Sequence, residues 1–246
     1  IVTDTTWGLN NTREWFIDGV LMSGDSIDTF TFVNPGTYTL RLTVTTACGT
    51  ADSNVVITVW SPPAANFTAP ADGCAPHTIA FDNTSTYFND STVSFLWDFG
   101  DGTTDTARIP ANKIYNDPGT YTVWLHVYDT CGADSISRTF TVHPKPLAGF
   151  RADTVCFLET TSFTDTSSVA SGSIVQYSWA FGEAGTSTTA HPTHTYASAD
   201  TFLVRLIVTT NEACLDTVDQ NVLVVPKPTV AWAVSPNDTV CVGSAQ

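Results

Sequence analysis

Residues 97–102 read Trp97-Asp98-Phe99-Gly100-Asp101-Gly102, and a second motif, Pro118-Gly119-Thr120-Tyr121-Thr122-Val123, follows downstream. The Trp would supply the largest single apolar contact of a small β-sandwich. The Gly-Asp-Gly after it predicts a tight hairpin, because Gly accepts positive φ and Asp bonds to its own turn. From Tyr121 to Tyr128 the residues alternate between two faces, which predicts a strand with one buried face.

This pattern returns with a period of about 82 residues. Trp15, Trp97 and Trp179 share one spacing, and the cysteines that recur with nearly the same spacing are Cys48, Cys131 and Cys214. The motif at Pro118 has counterparts at Pro35 and, with changes, at Ala199. Such periodicity is typical of a tandem array. We therefore predict four domains within a longer array: residues 1–60 (N-terminally truncated), 64–143, 147–225, and the opening fragment 229–246.

The motifs resemble those of the polycystic-kidney-disease (PKD) domain, whose signature is a WDFGDG turn, an H-x-Y strand and a PGxYxVxLxV strand. The third repeat keeps Trp179 and His194-Thr195-Tyr196, while the first departs further, at Trp15-Phe16-Ile17-Asp18-Gly19. The resemblance covers essentially the whole chain and implies Ig-like sandwiches of about seven strands. Such domains are common in extracellular stalks, adhesins and accessory regions of secreted hydrolases. We expect an all-β protein made of tandem Ig-like (PKD-type) β-sandwiches in an extended array.

Composition excludes several classes of partner. The formal net charge is −15 with only nine Lys and Arg, which argues against a nucleic-acid partner because phosphate backbones require clustered positive charge. No segment approaches the roughly 20 apolar residues of a membrane helix, so we expect no membrane insertion. No nucleophile motif, zinc motif or phosphate loop is present, and we expect the chain not to be an enzyme.

The cysteines recur once per repeat at each of two positions. This recurrence predicts two disulfides inside domains, Cys74–Cys131 and Cys156–Cys214, and hence an oxidising compartment, extracellular or at the cell surface. The alternative is buried free thiols in a cytosolic protein. No pair has the C-x-x-C spacing of zinc or redox sites.

Three acidic residues form a weak candidate calcium site: Asp90, Asp98 and Asp101. In some PKD-like domains of collagenases an Asp-x-Asp-Gly segment before the Trp strand binds calcium. Here that segment reads Asn89-Asp90-Ser91, which leaves too few oxygen ligands for a firm assignment. A structural role in the hairpin turn is favoured for Asp98 and Asp101. We expect no other cofactor.

The outward face of the strand after Tyr121 carries Trp124, His126 and Tyr128, a pattern that the other repeats lack. Exposed aromatic rings are able to stack on a sugar or on a neighbouring protein, whereas a covering loop would make them structural. The favoured function is a non-catalytic spacer of a large adhesin, stalk or surface filament, with neighbouring repeats of the chain as partners. The alternative is a module that binds surface glycans or other protein subunits beside an enzyme.

Overall fold

A computed structural model describes residues 2–3, 12–24, 27–88 and 92–231. Within these ranges every element of regular secondary structure is a β-strand. The same ranges contain no helix with the length and hydropathy needed to cross a membrane. The chain forms two compact units, one of residues 1–71, 78–114 and 120–140 and the other of residues 72–77, 115–119 and 141–246.

The first repeat contributes a four-stranded antiparallel sheet and one short strand pair. Its strands are β1 (Val2–Thr3), β2 (Thr12–Ile17), β3 (Val20–Ser23), β4 (Ile27–Asp28), β5 (Gly36–Thr46) and β6 (Gly49–Val59). The sheet order is β3-β2-β5-β6, and β1 pairs with β4. Trp15, Leu40 and Val44 are buried on one face of the sheet. The Tyr38 hydroxyl donates a hydrogen bond to the carbonyl of Asn34 (2.9 Å), which closes the corner before β5.

The second repeat has two groups of strands. They are β7 (Gly73–Cys74), β8 (His77–Ile79), β9 (Ser94–Asp98), β10 (Thr104–Asp105), β11 (Lys113–Tyr115), β12 (Gly119–Asp129) and β13 (Gly132–His143). Five of them form a sheet in the order β10-β9-β12-β13-β7, and β11 pairs with β8. Along β12 the side chains of Val123, Leu125 and Val127 are fully buried, whereas those of Trp124 and Tyr128 are exposed. The predicted alternation is therefore confirmed.

The third repeat is a sandwich of a five-stranded and a three-stranded sheet. Its strands are β14 (Phe150–Ala152), β15 (Val155–Cys156), β16 (Thr160–Asp165), β17 (Ile174–Ala180), β18 (Thr186–Ser187), β19 (Thr193–Thr195), β20 (Thr201–Thr210) and β21 (Leu215–Val225). The sheet orders are β15-β21-β20-β17-β18 and β14-β16-β19. Side chains from both sheets form one core cluster, as expected for two facing layers. The predicted all-β class of tandem Ig-like sandwiches is confirmed.

The motif Trp residues lie at the centres of the cores. Trp97 is fully buried, with ring centroids 5.2 Å from Phe67 and 5.6 Å from Phe81. Trp179 has the same surroundings, with Phe150 at 5.1 Å and Phe163 at 5.6 Å. Each indole N–H also donates to a backbone carbonyl, so burial leaves no indole donor unpaired. The predicted core role of Trp97 and Trp179 is confirmed.

The hairpin after Trp97 depends on glycine. Gly100 has φ +72, and a Cβ there would lie 2.5 Å from the carbonyl oxygen of Thr122 on β12. Asp98 Oδ1 accepts the Gly100 N–H at 2.9 Å, which fixes the turn. The left-handed backbone and the close approach explain why this position requires Gly.

Candidate functional site

The structure contains one disulfide among the described residues, and it joins Cys74 to Cys214, with 5.6 Å between the two Cα atoms. Cys131 and Cys156 carry free thiols. The predicted bonds Cys74–Cys131 and Cys156–Cys214 are therefore wrong. The bond connects the second repeat to the third, and both of its cysteines belong to the second compact unit.

Strand length explains why the cysteines of one repeat do not pair. Cys214 directly precedes β21, whereas Cys156 pairs with Val225 at the far end of that strand. Eleven residues at about 3.3 Å each separate these points by roughly 35 Å. A disulfide requires Cα atoms within about 7 Å. We call Cys74 and Cys156 the edge cysteines, because β7 and β15 are sheet edges, and Cys131 and Cys214 the hairpin cysteines.

Backbone pairing brings Cys74 to the end of β13. β7 lies parallel to β13, with Gly73 opposite Val142 and Cys74 opposite His143, and the Ala75 N–H donates to the His143 carbonyl at 2.9 Å. Cys214 is 1% exposed, and its N–H donates to Thr210 Oγ1 at 3.1 Å. Closing a loop with a sequence separation of 140 residues stabilises the folded chain by about 5 kcal/mol in the chain-entropy model.

An aspartate fixes the linker that enters the third repeat. Asp216 Oδ2 accepts the Ala148 N–H at 2.9 Å, and Oδ1 is 3.0 Å from the Lys145 ammonium. Burial raises the pKa of Asp216, but hydrogen bonds from Ala148, Lys145 and Thr217 outweigh it and hold the pKa below the usual value. The Asp216 contribution to stability is thus present above the normal Asp range and is lost as pH falls through the lowered pKa.

The second repeat contains the equivalent aspartate. Asp134 Oδ2 accepts the N–H of Ala65 at 2.8 Å, just as Asp216 does for Ala148. Sequence reasoning missed both roles. Their signal was recurrence: each Asp follows a hairpin cysteine by two or three residues, at matching positions of the repeat. The site built from these residues holds a linker in place.

The aromatic residues of β12 form a row on the solvent face of its sheet. The ring centroids of Trp124 and His126 are 5.9 Å apart with planes 8° from parallel, and those of His126 and Tyr128 are 6.4 Å apart with planes 19° from parallel. Trp124 is 40% exposed and Tyr128 is 43% exposed. We call these three side chains the aromatic row. Its β9 neighbours, Asp98, Leu96 and Ser94 in register, do not cover it.

The two described carboxylates of the weak calcium candidate serve the hairpin. Asp98 accepts the Gly100 N–H, and Asp101 accepts the Thr103 N–H and hydroxyl while pairing with the Lys113 ammonium at 2.9 Å. Burial raises the pKa of Asp101, but the Thr103 and Lys113 hydrogen bonds lower it further than burial raises it. Asp90 lies outside the described residues. Within those residues no three His, Cys, Asp or Glu side chains converge as a metal site would require.

The third repeat replaces the Asp101–Lys113 pair with Glu183 and His194. Glu183 Oε1 is 2.9 Å from His194 Nε2, and the His194 ring stacks on Phe181 with 4.4 Å between centroids. His194 lies at the H-x-Y position, which Lys113 occupies in the second repeat. Both pairs connect the hairpin to the following short strand, so the role is structural in each repeat.

Comparison with known proteins gives one family and several partial relatives. The model of the PKD domain matches residues 60–144 and 142–225. Collagenase ColA of Bacillus cereus is 40% identical over 75 residues, 30% of this chain and 8% of that protein. A microbial collagenase of Vibrio alginolyticus is 40% identical over 88 residues, 35% of this chain and 11% of that protein. The chain thus spans about a tenth of the length of these relatives.

A solved structure of three tandem domains agrees with the fold. Three N-terminal domains of the outer capsid protein Hoc of bacteriophage RB49 cover 92% of this chain and 92% of their own, with a TM-score of 0.50 and 13% identity. At that identity the likeness concerns the fold alone. The PKD1 domain of the Vibrio cholerae metalloprotease PrtV is 38% identical and covers 33% of this chain and 98% of its own, with a TM-score of 0.31.

Proposed function

Because the chain belongs to the PKD-domain family, we propose that it is a spacer region of a large extracellular adhesin, stalk or surface filament. The PKD domain is a non-catalytic module. The observation that carries the proposal is the Cys74–Cys214 disulfide, which covalently joins residues of two successive repeats. A module whose only role was to bind a ligand would need no such bond between repeats.

The linker supports the same function. Pro144 and Pro146 each fix φ near −65° and restrict the residue before them. Between them Lys145 pairs with Asp216, and Ala148 is hydrogen-bonded to the same carboxylate. A linker restricted in this way resists bending, which a spacer requires. The disulfide also favours an oxidising, extracellular location.

A spacer must be long for its mass, and small-angle scattering tests this on the full chain. A single globule of 246 residues would have a radius of gyration near 18 Å. We expect a value well above that. A compact profile near 18 Å would contradict the spacer function while leaving the disulfide and the fold intact.

The aromatic row favours a second function, a polysaccharide-binding module beside an enzyme. Exposed aromatic rings are suited to contact the C–H face of a sugar ring, and a row of three would suit several sugar units of a chain. Collagenases among the relatives carry segments similar to this one. In this function the aromatic row, and not the junction between repeats, would be the working surface.

Binding to a panel of insoluble polysaccharides, with collagen fibrils in parallel, tests this second function. We expect Trp124→Ala with Tyr128→Ala to weaken polysaccharide binding by at least tenfold, because each lost ring contact is worth about 1 kcal/mol. Leu203→Ala, an exposed position on β20 of the third repeat, is the matched control and should bind normally. Equal binding by all variants, or binding to collagen alone, would contradict the polysaccharide assignment.

A further inference from the structure

The edge cysteine of the third repeat occupies the position that Cys74 occupies in the second. β15 lies parallel to β21, with Val155 opposite Val224 and Cys156 opposite Val225. The Phe157 N–H donates to the Val225 carbonyl at 2.8 Å, as the Ala75 N–H donates to the His143 carbonyl at 2.9 Å. The strand pairing of the two edge cysteines is therefore the same. Cys74 is bonded and Cys156 is free.

The partner of Cys74 defines what a partner of Cys156 must be. Cys214 is a hairpin cysteine, placed between the two long strands β20 and β21 of the repeat that follows Cys74 in the chain. Cys131 occupies the corresponding place between β12 and β13, so the hairpin position recurs with the repeat. The hairpin cysteine of the third repeat itself is out of reach of Cys156, since β21 separates them by roughly 35 Å.

We propose that Cys156 is the attachment site of a second disulfide between repeats, whose partner is the hairpin cysteine of a PKD repeat following Val225. Residues 229–246 repeat the opening of a unit in sequence, which supports a repeat at that place. Each repeat then bonds forward through its edge cysteine and backward through its hairpin cysteine. One disulfide then joins the two repeats at each junction, and we call this series of bonds the disulfide ladder.

The disulfide between Cys156 and the hairpin cysteine forms by thiol–disulfide exchange with a disulfide oxidant, either a small-molecule disulfide or a protein disulfide. The Cys156 thiolate attacks one sulfur of the oxidant and expels the other as a thiolate, which leaves a mixed disulfide. The hairpin thiolate then attacks Cys156 Sγ and expels the second thiolate. The two protons lost by the cysteines end on the expelled thiolates, so the oxidant is reduced to two thiols.

A chain with one added repeat tests the proposal. A copy of residues 147–228 is inserted after Pro228 of the full chain, and the copy carries Glu159→Asp and Leu215→Met, two exposed positions that mark its peptides by mass. After refolding with reduced and oxidised glutathione, non-reducing peptide mapping should join Cys156 of the original to the hairpin cysteine of the copy. Cys74–Cys214 should form as before. Cys156→Ser in the original should leave the hairpin cysteine of the copy as a free thiol, which is alkylated after denaturation without reductant.

The outcomes separate cleanly. Hydrogen exchange across the copied β20 strand reports whether the copy is folded. A second chain carries residues 64–146 as the insert, so that its hairpin cysteine is a copy of Cys131. A bond from Cys156 to either hairpin cysteine supports the ladder. A folded copy whose hairpin cysteine is alkylated after denaturation without reductant, while Cys74–Cys214 forms, overturns it. Two unfolded copies also overturn it, because the ladder requires that a PKD repeat can fold there. No outcome depends on whether the array serves as a spacer.

Discussion

Reducing the Cys74–Cys214 bond is expected to add about 490 Å to the length that the chain reaches when it is unfolded by pulling on its two ends. In the oxidised chain the tension passes from Cys74 through the sulfur atoms to Cys214, so the intervening segment is never stretched. The bond spans 140 residues in sequence, and each contributes about 3.5 Å when extended. Single-molecule force spectroscopy with and without reductant measures the difference directly.

Serine variants separate this bond from other pairings. Cys74→Ser with Cys214→Ser should reach the full length without reductant. Cys131→Ser with Cys156→Ser should keep the short length, because those thiols are free. Bonds inside repeats would instead shorten the extended chain by two segments of about 200 Å each. The second variant would then lack both bonds and would reach the full length without reductant. That result would contradict the structure.

Truncating Trp97 to alanine is expected to destabilise the second repeat by about 3–5 kcal/mol. The substitution leaves a large cavity between Phe67 and Phe81, which the surrounding rings can fill only in part. Hydrogen exchange in β12 is a local measure, and exchange through unfolding of the repeat should become at least a hundredfold faster. A local measure is needed because a chain of several domains does not unfold in one step.

Trp124→Ala is the matched control. It removes the same side chain from the neighbouring strand, but Trp124 is 40% exposed whereas Trp97 is fully buried. We expect the change in stability to stay below about 1 kcal/mol. Similar acceleration of exchange in both variants would mean that the Trp97 core assignment, and with it the orientation of β9, is wrong.

The fold was predictable because its signals are local. The alternation along β12 and the Gly100 turn each depend on residues close in sequence, and both are found as expected. The burial of Trp97 and Trp179 follows from the same patterns. The roles of Asp134 and Asp216 were not predictable in this way, because each binds a backbone N–H about 70 residues away.

The disulfide pairing could not be predicted from the spacing of the cysteines in the repeats. Cys74 has two candidate partners, Cys131 in its own repeat and Cys214 in the next, and either choice recurs once per repeat. Spacing in sequence therefore cannot separate them. The decision depends on which end of the long strand each cysteine occupies, and that follows from the parallel pairing of β7 with β13. Two-residue strands such as β7 carry no periodic signal to predict such a pairing.

The same bond changes what a break in the backbone would do to the molecule. Proteolytic cleavage of any single peptide bond between Cys74 and Cys214, a stretch covering more than half of the 246 residues, leaves the two pieces joined through sulfur. Exposed loops in this stretch, such as residues 100–104, are the places where a protease would cut. A protease can thus cut once within this stretch without releasing the part of the chain that lies beyond the cut.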